Sequence, residues 1–190
     1  MSFDQIMIHY SAPTLCGIKP ANLFSIKKAV FSKMSFKKWQ TVFDTHGISA
    51  IAARISAGNV VVLVYNARLL EQVLNNPVAH SYLAEKGYKN CSDLYAVVKK
   101  MINHMKRGKN FPHEIGVILG YPVEDVIAFE KHKGRECKFC GCWKAYSNVE
   151  NAKQCQCRYR MCSCMCKQLF DEGYTIHQIV KEYKKAVKAA

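Results

Sequence analysis

Apolar and polar positions along the chain change period several times. Ser2 suits the cap of a short helix running to about Tyr10. Ser11 to Pro20 carries two prolines and a glycine and reads as a loop. Ala21 to Ile26 reads as a strand. Ser35 to Thr45 places Phe36, Trp39, Val42 and Phe43 on one helical face and stops at Gly47. Ile51–Ile55 and Val60–Tyr65 flank Ser56-Ala-Gly-Asn59, the pattern of a β-hairpin.

The centre is helical. Ala67–Leu74 is one helix, and a second starts with Pro77 in its first turn and stops near Gly87. Ser92 caps a third, running to about Arg107. Pro112–Leu119 and Val123–Lys131 form a close pair around Gly120-Tyr-Pro122. Cys142–Tyr146 reads as a strand. Asn148 then caps a long helix to about Phe170, and Thr175 caps a last one with Ile176, Ile179, Val180 and Tyr183 inward. These elements predict one α+β domain over 1–190: a small, mainly antiparallel sheet packed by several helices, with a cysteine-rich strand–helix segment at 137–170.

Eight of the ten cysteines lie in that segment: Cys137, Cys140, Cys142, Cys155, Cys157, Cys162, Cys164 and Cys166. Cys16 and Cys91 are scattered. Thiolates are soft metal ligands and redox nucleophiles, so such density points to metal or thiol chemistry. At 100° per residue, Cys162 and Cys166 each fall within about 20° of Cys155 on the apolar side of the long helix. Cys157 and Cys164 point the opposite way, among basic and polar groups, as exposed thiols. Cys162 and Cys166 are one turn apart, so both sulfurs reach one ion. Cys137-Lys-Phe-Cys140 has the two-residue spacer of a zinc or iron–sulfur knuckle. Cys140 and Cys142 alternate by two and share one face of a strand. If that strand packs on the helix, Cys137, Cys140, Cys162 and Cys166 make a four-thiolate site, with Cys142 and Cys155 in reserve.

Charge adds a second reading. The net charge is +14, spread as +5 over residues 1–60, +1 over 61–130 and +8 over 131–190. The basic excess thus coincides with the cysteines, where it suits an anionic partner (an acidic protein or nucleic acid), an offset to ligand charge, or a solvated surface. His113 to Val126 has a helix-turn-helix rhythm, yet Glu124 and Asp125 open its second helix and would oppose phosphates. The segment 113–131 therefore reads as a packing corner, with a nucleic-acid regulator as the alternative. His113 and Glu114 are neighbours that diverge by 100° on a helix, which suits surface or capping roles better than an acid–base pair. His9, Lys19 and Asn22 border the Pro13–Asn22 loop as ligand contacts. No glycine-rich phosphate loop, Gly-x-Ser-x-Gly elbow or His-Glu-x-x-His helix is present, so the motifs lend an enzyme no support. No apolar run approaches the roughly 18 residues of a membrane helix. The first residues lack a signal-peptide pattern, and the expectation is a reducing cytoplasm where clustered cysteines are ligands or reactive thiols.

Three segments carry a resemblance: Ala12-Pro-Thr-Leu-Cys-Gly-Ile-Lys-Pro-Ala-Asn-Leu-Phe24, Phe111-Pro-His-Glu-Ile-Gly-Val-Ile-Leu-Gly-Tyr-Pro-Val-Glu-Asp-Val126 and Gly141-Cys-Trp-Lys-Ala-Tyr146. Together they resemble an uncharacterised family of small cytoplasmic proteins from anaerobic Gram-positive bacteria, a domain of unknown function. The resemblance implies an oxygen-poor cytoplasm and transfers no activity. The leading expectation is an accessory or redox protein holding zinc or an iron–sulfur cluster on thiolates. The alternatives are the nucleic-acid regulator and a thiol-redox protein using Cys157 and Cys164.

Overall fold

Residues 1–54, 58–88, 90–91, 93–107 and 112–189 are described by the computed structural model. Their contacts divide the chain into two compact units, Met1–Ala67 with Tyr159–Ala190, and Arg68–Arg158. Two expected features, the tip of the first hairpin at Ser56-Ala57 and the Ser92 cap, lie outside the described residues.

The first unit begins with α1, Phe3–Leu15. Its start is a capping box: Ser2 Oγ accepts from Gln5 N (3.2 Å) and Gln5 Oε1 accepts from Ser2 N (3.0 Å). The helix does not stop at Tyr10 but continues through Pro13, correcting the loop expected over Ser11–Pro20. An interior proline costs about 3 kcal/mol. Burial of Ser11, Ala12, Pro13, Thr14 and Leu15 offsets that cost. The true end is a Schellman motif: Ile18 N donates to the Pro13 carbonyl (2.9 Å) and Gly17 N to that of Thr14 (3.1 Å). Gly17 has φ of +75°, a conformation in which a Cβ costs about 1–2 kcal/mol. Gly17→Ala is therefore expected to lower stability by about 1 kcal/mol. A urea-unfolding midpoint equal to wild type would show that the left-handed turn is not needed.

A three-stranded antiparallel sheet follows in the order β1-β3-β2, with β1 at Ala21–Lys27, β2 at Ile48–Arg54 and β3 at Asn59–Asn66. Its register pairs Phe24 with Val62 and Ala50 with Val64. Phe24, Ile26, Ile48, Ala50, Val60, Val62 and Val64 thus share one buried face, as a period of two requires. Between β1 and β2 runs α2, Lys33–Asp44, which buries Phe36, Trp39 and Phe43. Trp39 Nε1 donates to Asp4 Oδ1 (2.7 Å), fixing α2 on the first turn of α1.

The second unit is mainly helical. It comprises α3 from its second residue (Ala67–Leu74), α4 (Pro77–Glu85), α5 (Leu94–Arg107), a four-residue α6 (Ile115–Ile118) and α7 (Val123–Lys131). Asn76 caps α4 through Val78 N and Ala79 N (3.0 and 3.2 Å), and Asp93 caps α5 through Ala96 N (3.0 Å). A two-stranded hairpin comes next, β4 at Phe139–Cys140 and β5 at Lys144–Ala145. This corrects the strand expected over Cys142–Tyr146. Cys140 lies on β4 and Cys142 in the turn, so the two do not share a strand face. A Cβ at Gly141, in that turn, would meet the Phe139 ring and the Gln156 side chain.

The two units share α8, Val149–Asp171, whose residues from Tyr159 onward belong to the first. The last helix, α9, spans Ile176–Ala189, with Thr175 and Gln178 as a second capping box. Its Ile179, Val180 and Tyr183 are buried in the first unit's core, beside Cys162 and Cys166 of α8. The architecture is α+β. Among the described residues no helix is long and apolar enough to cross a membrane.

Candidate metal centre

Three thiols converge in the first unit. Cys16 ends α1 as its C-cap, while Cys162 and Cys166 stand one turn apart on α8. Their sulfurs all lie within 4.8 Å of one another, and Cys16 Sγ is 3.6 Å from Cys166 Sγ. Cys16 is 5% exposed and the other two 0%, which removes the site from bulk water. Among the described His, Cys, Asp and Glu side chains, this is the group of three or more whose donor atoms gather so closely.

Local sequence explains each position. The Schellman turn at Gly17 arrests α1 so that its last residue meets α8. The i, i+4 spacing on α8 stacks the other two sulfurs. The site's electrostatics follow from three thiols crowding without water. Bonds from Cys16 and then Cys162 hold the Cys166 thiol well below its ordinary range, against the opposing effect of burial. Cys16 is pushed far up by its bonds to Cys162 and Cys166 and by burial. Cys162 receives a stabilising bond from Cys16, yet its bond to Cys166, burial and the Cys166 charge push it up on balance. Across the coupled triad these shifts favour the first ionisation at Cys166. The buried Tyr183 hydroxyl is hydrogen-bonded to Cys162, and burial followed by the Cys162 charge raises the phenol. Tyr183 thus remains a neutral donor to the thiol site.

The other sequence-derived residues belong to both units. Cys137 is half-buried and Cys140 exposed at the β4–β5 hairpin of the second unit, with Cys142 exposed in its turn. Cys155 is half-buried on the first part of α8, packed against the small core of Trp143, Ala145 and Ala152. Cys157 and Cys164 are exposed. His9 is half-buried, its ring bonded to the Ser163 backbone and its Nδ1 without a partner. Burial, then the Lys167 charge, lowers its pKa. Lys19 is buried with its ammonium 5.4 Å from the Tyr159 ring centroid, and Asn22 donates to the Tyr10 carbonyl.

His113 and Glu114 diverge: His113 is exposed beside the Phe129 ring, and Glu114 is buried between the Tyr88 hydroxyl (3.2 Å) and His104 Nδ1 (3.0 Å). Asp125, at the start of α7, is 2% exposed. It accepts from Trp143 Nε1 (2.7 Å), Tyr146 N (2.8 Å), Ser147 N and Ser147 Oγ (both 2.9 Å). The helix start that would read bases is thus engaged in packing, and α6 is a single turn. This geometry lends the nucleic-acid reading of 113–131 no support.

The residue that sequence reasoning passed over is Cys16. Its one local signal was the following glycine, which marks a helix end only once the helix is known to run past Pro13. The fold and site together define an α+β protein with a buried three-thiol centre. The chain belongs to DUF3793, a family of proteins of unknown function whose model matches residues 7–180. No curated protein and no solved structure matches it.

Proposed function

We propose that this protein binds one thiophilic metal ion, zinc foremost, through Cys16, Cys162 and Cys166. The observation carrying the reading is the convergence of three buried sulfurs within 4.8 Å. Isolated buried cysteines pack as small hydrophobes and have no reason to converge. Bonds of about 2.3 Å to one tetrahedral ion separate two sulfurs by about 3.8 Å. The 3.6 Å between Cys16 and Cys166 supports a single ion over the wider ligand spread of an iron–sulfur cluster. Three thiols leave the fourth position of a tetrahedral ion to a further ligand, and their burial favours an ion that joins the end of α1 to α8 away from bulk water. Tyr183, donating to Cys162, would offset part of the surplus negative charge of three thiolates on a divalent ion.

The test is metal analysis of protein purified without oxygen. About one zinc per chain is expected, falling below about a tenth in Cys16→Ala, Cys162→Ala and Cys166→Ala. Cys157→Ser and Cys164→Ser should keep it. Alanine avoids burying an unpaired hydroxyl, so these variants remain foldable. No retained or rebindable metal in folded wild-type protein would sink the proposal. Iron with stoichiometric sulfide would replace the single ion by a cluster. Zinc lost on Cys137→Ser or Cys140→Ser instead would move the site to the hairpin knuckle.

A further inference from the structure

The first unit carries a second feature, a cationic cleft between the end of α2 and the face of α9. Its volume is about 370 Å³, and it is lined by His46, His177, Lys181, Lys184, Lys185 and Lys188. Val180 supplies its apolar floor. On α9 the five basic positions fall at i, i+4, i+7, i+8 and i+11 from His177. At 100° per residue they occupy one stripe about 100° wide and about 16 Å long. Like charges at these spacings repel one another and destabilise a helix. Among the described ion pairs one relieves the stripe, Lys185 Nζ with Glu182 Oε1 at 2.7 Å, between an exposed lysine and a half-buried glutamate. The His46 and His177 rings lie 5.9 Å apart at one end. Burial, then the charges of His177 and Lys184, lowers the pKa of His46.

We propose that this cleft binds a small molecule carrying two or more linked phosphates. A lone phosphate would engage two or three of the cations, and the stripe extends beyond them. The volume lies within the 300–1,000 Å³ typical of small-molecule sites. A cleft of that size suits a compact oligophosphate better than a nucleic-acid backbone, which needs a longer track. Lysine is suited to phosphate as a point charge, and the imidazoles add donors at the apolar end. Binding here is separate from the thiol centre and stands whether or not a metal binds there.

The probe is inorganic tripolyphosphate, titrated calorimetrically into the full-length protein at low salt. Saturable one-to-one binding is expected, weakened at least tenfold in Lys181→Ala/Lys184→Ala. The exposed pair Lys27→Ala/Lys28→Ala removes the same charge elsewhere and should leave affinity within about twofold. Alanine preserves helix propensity, and unchanged far-ultraviolet circular dichroism would verify the fold. Equal weakening by both double variants would reduce the effect to net charge and overturn the proposal. So would the absence of tripolyphosphate binding. Tighter binding of a ten-nucleotide single strand, lost in the same α9 variant, would replace the small ligand by a nucleic acid.

Discussion

Adding zinc to metal-free protein under argon is expected to raise the unfolding midpoint of the unit that holds the thiols by about 10 °C. Cys166→Ala is expected to abolish the gain. A ligand at about 1,000 times its dissociation constant stabilises by about 4 kcal/mol, and each kcal/mol moves a chain of this size by about 2–4 °C. The pH dependence identifies the ligands. Cys166 ionises first, while Cys16 and Cys162 are raised and hold their protons through neutrality. Binding must displace those two protons, so affinity should rise by about 100-fold per pH unit between pH 6 and 8. The thermal gain should then be large at pH 8 and nearly gone at pH 6. A gain that stays flat across this range would show that the ion sits on groups already deprotonated, outside the triad.

The second large effect belongs to the other unit. Asp125→Ala is expected to cost about 3 kcal/mol or more, read as the loss in urea-unfolding free energy. The substitution strands the Trp143 indole N–H and the amides of Tyr146 and Ser147, which all donate to that carboxylate. Burial by itself would raise the carboxyl pKa, but the four hydrogen bonds outweigh it and hold the group below its ordinary value. The sign follows by linkage. A carboxyl depressed in the folded state contributes stability above its unfolded pKa and loses it as pH falls through the lower folded value. Wild-type protein should therefore lose this contribution below about pH 4, and Asp125→Asn should show a flatter acid limb. A loss under about 1 kcal/mol for the alanine variant would mean that water replaces the carboxylate at little cost.

The corner containing Asp125 shows how a motif is read once its side chains are placed. The sequence rhythm of 113–126 fits a helix-turn-helix, because both that motif and an αα-corner need a glycine turn and apolar positions at helical spacing. The carboxylates at 114 and 125 separate the two readings, since both are drawn into buried hydrogen-bond networks. The cysteine-rich segment gives a parallel case. Spacing alone treats Cys140 and Cys142 as strand neighbours, whereas the chain turns between them so that Cys140 pairs with Lys144.

Local pattern by itself determined most of the elements. The helices at 67–74 and 123–131 carry their starts and stops in sequence, and Ser2, Asn148 and Thr175 announce three caps. It also separated buried Cys162 and Cys166 from exposed Cys157 and Cys164, because 100° per residue is a property of the helix and needs no partner. Tertiary structure alone decided the third sulfur. Cys16 and Cys166 are 150 positions apart. No local period relates them, and they meet because buried packing carries α1 through Pro13 before Gly17 stops it. Tertiary structure alone also decided the cationic cleft, since His46 joins the lysines of α9 by packing. Periodicity fixes the face on which a residue stands, while the neighbour it meets there depends on how the elements bury one another.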